Sequence, residues 1–163
     1  MSVNLKPTIG IISPCYNEEQ VLNETTRQLQ DLIEHLVNKE IISNKSFVAF
    51  VDDGSKDATW KIIEEKAHQN KHIKGLKLAG NVGHQKALLT FNEDTDALIS
   101  IDADLQDDIS IIEEMIEKYK SGADIVYGVR KARVSDTFFK RNTALFFYFL
   151  LKKSKTNVID DHA

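Results

Sequence analysis

The amino-acid sequence predicts an α/β fold in which helices cover both faces of a mostly parallel sheet. Short apolar runs alternate with longer segments whose apolar residues recur every three or four positions, an order typical of strand-helix-strand units. The chain has 163 residues, of which 42% are hydrophobic and 28% are charged, so it can bury one sizeable core. No internal repeat or Pro-rich linker divides it before about Val129, and we expect no domain boundary in that part.

Two strands and two amphipathic helices are expected in the first part of the chain. Thr8–Ser13 and Phe47–Val51 are short apolar runs and predict strands. The helix between them is predicted to begin at an Asn17 cap, with Gln20 in the capping-box position. Asp57 is expected to cap the second helix. The first helix carries its apolar stripe on Leu22, Thr25, Leu29, Leu32, Ile33 and Leu36, and the second on Trp60, Ile63 and Ala67.

The next segments predict two further strands joined by a short helix. Ile73–Leu78 is the weaker strand, and the glycines of Gly80–Gly83 indicate a turn before a helix through Lys86–Leu88. Ala97–Ile101 is the most apolar strand candidate. We therefore expect it at the centre of the sheet.

A helix and a fifth strand complete the predicted order. Gly122 ends this helix, and Asp124–Val129 follows as a strand. The apolar face of the helix consists of Ile109, Ile112, Ile116 and Tyr119. The predicted order is therefore β-α-β-α-β-α-β-α-β.

Charge is distributed unevenly along the chain. The formal net charge is -4, yet basic residues concentrate between Arg130 and Lys155 while residues 1–129 carry an excess of acids. The basic segment favours an anionic partner such as phosphate or membrane lipid, and the acidic remainder argues against a nucleic-acid binder. With one cysteine and no secretory signal at the N-terminus, a cytoplasmic location is expected.

An apolar, aromatic block lies inside the basic segment, at Phe138–Lys155. Its apolar core Ala144–Leu151 is much shorter than the ~20 residues that a membrane-spanning helix needs. A helix lying on an anionic membrane surface fits this composition. A helix packed on the domain, with its Lys and Arg in water, fits it equally well.

Polar clusters follow four of the predicted strands, at residues 14–19, 52–57, 81–85 and 102–108. In an open parallel sheet the ligand binds outside the carboxyl ends of the strands. These loops are therefore expected to form one site.

Cys15 and the histidines are assigned from their positions in this pattern. Cys15 has no assignable His or Asp partner, so we expect it in a pocket wall and not as a nucleophile. His84 lies in a strand-end loop and is expected to contact ligand. His35, His68 and His72 lack metal-ligand spacing and are expected at the surface.

Asp102 and Asp104 are two residues apart at a strand end, a spacing that points both carboxylates to the same side. Two hard oxygen ligands suit Mg2+ or Mn2+ when substrate phosphates complete the coordination. Gln106 would continue that side, where it could add an amide oxygen as a third ligand or orient a ligand. In the alternative interpretation, Asp107 or Asp108 caps the next helix and the other acids are solvated.

The Asp52-Asp53 pair also has two interpretations. Asp-Asp-Gly-Ser is good turn chemistry, yet one of the two carboxylates is spare and could accept hydrogen bonds from a base or a ribose. The loops contain neither G-x-G-x-x-G nor G-x-x-x-x-G-K-[ST]. A dinucleotide dehydrogenase and a P-loop NTPase are therefore disfavoured.

Four motifs together resemble a known family. In order and spacing, Pro14–Glu19, Val51–Asp57, Asn81–Leu88 and Asp102–Gln106 resemble the family 2 glycosyltransferases with the GT-A fold, a three-layer Rossmann-like sandwich. The greatest similarity is to the bacterial polyprenyl-phosphate (bactoprenol) glucosyltransferases and the dolichyl-phosphate mannose synthase group. Gly128–Arg130 extends the resemblance, which then covers nearly the whole chain.

The resemblance implies roles for individual residues. Asp102 and Asp104 match the catalytic metal motif, with Gln106 beside it. Arg130 matches a position that meets the acceptor phosphate. Asp161 matches a catalytic acid near the acceptor, and in the alternative interpretation it belongs to a solvated chain end. The residues matching the nucleotide-sugar site are Pro14, Tyr16, Glu18, Asp52, Asp53, Asn81 and Gly83.

The resemblance also implies an activity. A hexose would move from a UDP- or GDP-linked nucleotide sugar to a polyprenyl phosphate, with inversion and with Mg2+ or Mn2+, at the cytoplasmic face of the membrane. Residues 1–129 would bind the nucleotide sugar, and 130–163 would begin an incomplete, membrane-proximal acceptor part of a C-terminally truncated GT-A domain. The chain itself is expected to be soluble, to bind no nucleic acid, and to self-associate through surface exposed by the truncation.

Two other functions stay open at this point. One is a family 2 transferase that acts on a polysaccharide or protein-linked glycan. The other is a non-catalytic module that binds nucleotide or metal.

Overall fold

The computed structural model describes residues 6–90, 94–104 and 106–128. Contacts divide the chain into two units, of which the first ends at Asp124 and the second begins at Ile125. The first unit contains β1 (Ile9–Cys15), α1 (Leu22–Asn38), β2 (Phe47–Asp52), α2 (Thr59–Gln69), β3 (Ile73–Lys77), α3 (His84–Thr90), β4 (Ala97–Ser100), a 3-10 turn (Ile109–Ile111) and α4 (Ile112–Lys120).

The described strands form one parallel sheet in the order β3-β2-β1-β4. The register pairs Ile11 with Val48 on one side of β1 and with Ile99 on the other. Because all strands run in the same direction, their carboxyl ends meet at one edge. The strand-end loops are therefore brought together there.

Both faces of the sheet are covered by helices. Successive side chains of a strand point to opposite faces, so Ile11 packs under α1, α2 and α4, whereas Ile12 packs under α3. Every residue of β1 and β2 is buried. Each large apolar side chain buried in this way contributes about 1.5–3 kcal/mol. The three-layer α/β sandwich predicted from the sequence is confirmed.

The prediction that Ala97–Ile101 forms the central strand is wrong for the described sheet. β4 lies at its edge, beside β1, and its Leu98 is 55% exposed. The interior positions belong to β1 and β2, because strand order follows from the crossover connections and not from apolar content alone. Residues 124–128 of the predicted fifth strand are not in a strand, and Val129 lies outside the described residues.

Two polar residues have other roles than those predicted. Asn17 does not cap α1, which begins at Leu22 with Val21 in the cap position and no side-chain cap. His72 is not at the surface but 6% exposed, and its Nδ1 lies 2.8 Å from the Ser46 carbonyl oxygen. The imidazole satisfies a backbone acceptor.

The helix caps later in the chain agree better with the sequence. Asp57 Oδ1 accepts from Thr59 N at 3.0 Å at the start of α2, although Ala58 takes the cap position. Asp108 Oδ1 accepts from Ser110 N at 2.9 Å and caps the 3-10 turn. Among the helices described, none combines the length and apolar content that crossing a bilayer requires.

Candidate active site

A cleft of about 370 Å³ opens at the carboxyl edge of the sheet. The loops after all four strands contribute to its wall. The lining residues are Pro14, Cys15, Tyr16, Glu18, Asp53, Asn81, Gly83, His84, Asp102, Ala103 and Asp104. We call residues 15–19, 52–59 and 80–83 the loop side of the cleft and residues 101–104 its acid side.

The first two loops of the loop side are joined by hydrogen bonds from backbone amides to side chains. Asn17 N donates to Ser55 Oγ at 2.9 Å and Glu18 N to Thr59 Oγ1 at 2.8 Å. Asn17 adopts a left-handed φ of 58°, which asparagine tolerates better than most residues. Its Oδ1 accepts in turn from Lys56 N at 2.9 Å. These bonds fix the two loops to each other without regular secondary structure.

The third loop is bound to the second by Asp53. Asp53 Oδ1 accepts from Val82 N at 2.7 Å and Oδ2 accepts from Gly83 N at 2.9 Å. Asp53 is 3% exposed. Both oxygens of the carboxylate therefore already have backbone partners.

Asp52 is the member of the Asp52-Asp53 pair that stabilises the turn. It is fully buried, and its Oδ1 accepts from Ser55 N at 3.0 Å. Its Oδ2 is buried without a hydrogen-bond partner among the described residues. Asp52 does not line the cleft, because consecutive residues of an extended chain point to opposite sides.

The acid side is attached to α1 through Ala103, which lies between the two aspartates. Ala103 is buried, and its carbonyl oxygen accepts from Thr25 Oγ1 of α1 at 2.6 Å. The sequence places Thr25 in the apolar stripe of α1 and does not predict this hydrogen bond. The hydroxyl of Thr25, in a stripe that is otherwise apolar, is the only signal for it. The anchored alanine leaves Asp102 and Asp104 lining the cleft on either side of it.

The two carboxylates differ in their surroundings. The Asp102 side chain is 57% exposed, and its Oδ1 lies 3.6 Å from His84 Nε2. Asp104 Oδ1 accepts from Gln106 N at 3.0 Å. Gln106 does not line the cleft, because the chain turns at residues 103–104 and the alternation of a strand is lost there.

Negative charge accumulates in the cleft. The pKa of Glu18 is raised by partial burial and by the charges of Asp104, Asp57 and Asp102. Among the described lining residues there is neither Lys nor Arg. An anionic ligand would therefore meet repulsion here unless a cation accompanied it.

Cys15 lies in the cleft wall and is buried. Burial raises the pKa of its thiol, and the nearby Glu18 and Asp52 raise it further. The thiol stays protonated and is a poor nucleophile. Its expected role as a wall residue agrees with this environment.

The donor set of the acid side fits a hard divalent cation. Asp102 and Asp104 offer carboxylate oxygens to one cleft, and such oxygens are the ligands that Mg2+ and Mn2+ prefer. No cluster of three or more His, Cys, Asp or Glu suited to a metal occurs in the described part of the chain.

The structure brings most of the predicted site residues together. Those that line the cleft are Pro14, Tyr16, Glu18, Asp53, Asn81, Gly83, Asp102 and Asp104. Asp52 and Gln106 do not. Arg130, Asp161 and the Phe138–Lys155 segment lie outside the described residues.

The parallel sheet in this order, with helices on both faces and polar loops at its carboxyl edge, is a Rossmann-like α/β fold and agrees with the GT-A fold expected from the sequence. The model of the family Glycosyl transferase family 2 matches residues 10–162. The chain belongs to this family.

Curated relatives support the assignment. Over 162 residues the chain is 51% identical to "Uncharacterized glycosyltransferase YkoT" of Bacillus subtilis (strain 168), covering 97% of this chain and 48% of the relative. Over 159 residues it is 36% identical to the "Bactoprenol glucosyl transferase" of Shigella phage SfX, covering 94% and 49%. The chain thus spans about half the length of these relatives.

A solved structure supports the fold. The crystal structure of S. aureus TarS 1-349 superposes with a TM-score of 0.51 at 22% identity, covering 82% of this chain and 40% of that chain. At this identity the similarity concerns the fold alone.

Proposed function

We propose that this chain binds the donor of a glycosyltransferase that moves a hexose from a UDP- or GDP-linked nucleotide sugar to a polyprenyl phosphate. The observation that carries the proposal is the pair Asp102 and Asp104, which line one cleft together with the loops after the other three strands. The acceptor class is supported by the bactoprenol glucosyl transferase of phage SfX at 36% identity. Such an acceptor would place the reaction at a membrane surface, and we propose the cytoplasmic face because a nucleotide sugar is the donor.

The loop side would bind the nucleoside. Tyr16 lines the cleft and is 43% exposed, so its ring is available to stack on a base. Pro14, Glu18 and Asn81 line the same cleft. Rigid loops lower the entropy that binding costs, and the hydrogen bonds of Asn17 and Glu18 provide such rigidity.

The acid side would handle the diphosphate. Asp102 and Asp104 would hold Mg2+ or Mn2+, which supplies neutralising charge to a leaving diphosphate when bound. His84 lies beside Asp102 and would meet the same group. In the transfer, an acceptor phosphate oxygen forms a bond to the anomeric carbon as the bond from that carbon to the diphosphate breaks, and the configuration inverts. Because the acceptor oxygen is already anionic, no strong base is required.

The donor part of the proposal is tested by calorimetric titration of the chain with UDP, GDP and ADP, in Mn2+ and again in EDTA. We expect UDP or GDP to bind in Mn2+ with a dissociation constant between low micromolar and millimolar, and EDTA to abolish binding. Asp104→Ala should remove the metal-dependent part.

The matched control is Asp108→Asn, in the same acidic segment. Asp108 caps the 3-10 turn and does not line the cleft, and asparagine is an equally good cap. Its nucleotide affinity should equal that of the wild type. A folded wild-type chain that binds neither UDP nor GDP, or that binds them equally well in EDTA, would contradict the proposal.

The acceptor is tested separately with labelled nucleotide sugar and a polyprenyl phosphate in detergent. Transfer of label into the organic phase supports the lipid acceptor. Label that appears only on an added glycan acceptor would replace it with the polysaccharide alternative.

A further inference from the structure

A segment without acids lies within the otherwise acidic first part of the chain. Residues 66–92 contain no Asp or Glu, yet they contain five lysines. The part of this segment that the structure describes forms the end of α2, β3, the third loop of the cleft and α3. The five lysines are Lys66, Lys71, Lys74, Lys77 and Lys86.

The fold places several of these lysines near the cleft. β3 is an edge strand of the described sheet, and Lys77 is its last residue. Lys86 belongs to α3, which packs on the face of the sheet that holds Phe47. The Lys74 ammonium lies over this ring, 4.0 Å from its centre. We call the following five residues the basic flank: Lys74, Lys77, Val82, Lys86 and Leu89.

Two exposed apolar side chains accompany these lysines. Leu89 of α3 is 84% exposed, the highest value among the described large apolar side chains, and Val82 is 43% exposed. A surface that combines apolar side chains with lysines suits an anionic bilayer. There, apolar groups enter the boundary of the acyl chains while ammonium groups contact lipid phosphates.

The charges of Lys77 and Lys86 are not compensated within the described part of the chain. Neither lysine takes part in an ion pair there. Lys77 Nζ lies 5.5 Å from the centre of the Trp60 ring, a contact that supplies no negative charge. Lysine on an edge strand also hinders pairing with another chain. That function explains neither Lys86, which lies on a helix, nor the exposed Leu89.

We propose that the basic flank contacts anionic lipid headgroups and holds the cleft beside the membrane surface. The inference deepens the proposed function, since a polyprenyl-phosphate acceptor would reach the cleft from a bilayer. Asn81, Gly83 and His84 belong to the same segment and line the cleft, so a bilayer on the basic flank lies next to it. The contact with lipid does not itself require a nucleotide.

The contact is tested with an environment-sensitive fluorescent label at position 89 of the full chain. Leu89→Cys supplies a reactive thiol at an exposed position. Cys15 is buried, and burial raises the pKa of its thiol, so it reacts poorly with the label. Ile111→Cys with the same label is the matched control. Ile111 is also exposed, but it directly precedes α4, which packs on the opposite face of the sheet.

Vesicles of phosphatidylcholine mixed with phosphatidylglycerol should shift the emission of the label at position 89 to the blue. Vesicles of phosphatidylcholine alone should not, and the label at position 111 should not respond to either. An unchanged label at position 89 would overturn the proposal, whether or not the chain sediments with anionic vesicles. Equal shifts at both positions, or equal shifts with both kinds of vesicle, would overturn it as well.

The lysines are tested by two variants that remove the same charge from opposite faces of the sheet. Lys77→Gln/Lys86→Gln should weaken binding to anionic vesicles roughly tenfold or more, as expected for two lysines near an anionic surface. Lys118→Gln/Lys120→Gln, on α4, should weaken it less than about twofold, because charges far from the surface are screened. Equal losses would show that only the net charge matters and would contradict the proposal.

Nucleotide titration in Mn2+ separates this inference from the proposed function. A chain that binds UDP or GDP but fails the vesicle tests contradicts the contact between the basic flank and lipid, and leaves donor binding supported. A chain that passes the vesicle tests but binds neither nucleotide contradicts the proposed function, and leaves the lipid contact supported.

Discussion

The two sides of the cleft are built in opposite ways. On the loop side, polar side chains are bonded to backbone: Asp53 holds Val82 and Gly83, and Ser55 and Thr59 hold the first loop. On the acid side the chain is anchored through Ala103, while the carboxylates of Asp102 and Asp104 face the cleft.

The loop side therefore fixes the shape of the cleft, and the acid side provides its negative charge. Side chains that satisfy backbone groups give the loop side a fixed form before any ligand arrives. Carboxylates that face one open cleft repel each other. The pKa of Glu18 is raised, first by burial and then by the negative charges of Asp104, Asp57 and Asp102. Such repulsion is expected where charge serves binding and not stability.

The largest effect should follow from breaking the fixed form of the loop side. Gly54→Ala introduces a Cβ 2.9 Å from Asn81 N at a φ of +79°, so both backbone strain and overpacking oppose it. We expect a loss of about 2–4 kcal/mol in the free energy of unfolding, measured by urea denaturation.

Gly80→Ala is the control for this change, because nothing lies within 4 Å of a Cβ at Gly80. It should cost less than about 0.5 kcal/mol. Equal stability of the two variants would show that the close approach at Gly54 does not constrain the loops.

An intermediate effect is expected at the anchor of the acid side. Thr25→Val removes the hydroxyl that donates to the Ala103 carbonyl at 2.6 Å and leaves that buried acceptor unsatisfied. The cost should be about 1–3 kcal/mol, and the metal-dependent affinity for nucleotide should fall because Asp102 and Asp104 lose their support.

Thr26→Val provides the comparison. Thr26 is also buried, but its hydroxyl donates to Leu22 O within α1 at 2.7 Å. It should lose less stability and leave nucleotide affinity unchanged. If both valine variants affect affinity equally, Thr25 has no special relation to the acid side.

The smallest effect concerns the repulsion itself. Because the pKa of Glu18 is raised in the folded chain, the wild type loses stability as the pH rises from about 4.3 through the folded pKa. Glu18→Gln should therefore be the more stable protein at pH 7, by no more than about 0.5 kcal/mol because Glu18 is only partly buried. Below about pH 4 the difference should vanish. Glu64→Gln, at an exposed position of α2, is the control, and a pH-independent gain in Glu18→Gln would refute the electrostatic explanation.

Sequence predicted the elements of this fold better than their arrangement. The apolar runs located β1 and β2 within two residues, because burial on both faces requires such runs. The edge position of β4 was missed, since the same apolar run can occupy either place. The cap predicted at Asn17 is wrong, because asparagine suits both helix caps and the left-handed φ that Asn17 adopts.

The site shows the same limit. Asp102 and Asp104 are two residues apart, so the sequence alone could predict that both carboxylates belong to one site. The choice between Asp52 and Asp53 depends on amides 29 and 30 residues further along the chain, and no local pattern specifies them. The burial of His72 likewise depends on Ser46, 26 residues away.

The central claim is that a divalent cation joins the two sides of the cleft through a nucleotide diphosphate. Paramagnetic broadening by Mn2+ tests it, in the 1H-15N spectrum of the chain saturated with UDP or GDP. We predict that the amides of Asp102, Ala103 and Asp104 broaden first, with those of Glu18 and Gly83 across the cleft, while His72 stays sharp. Asp104→Ala should abolish the effect. Broadening centred elsewhere, or broadening that survives Asp104→Ala, would contradict the claim.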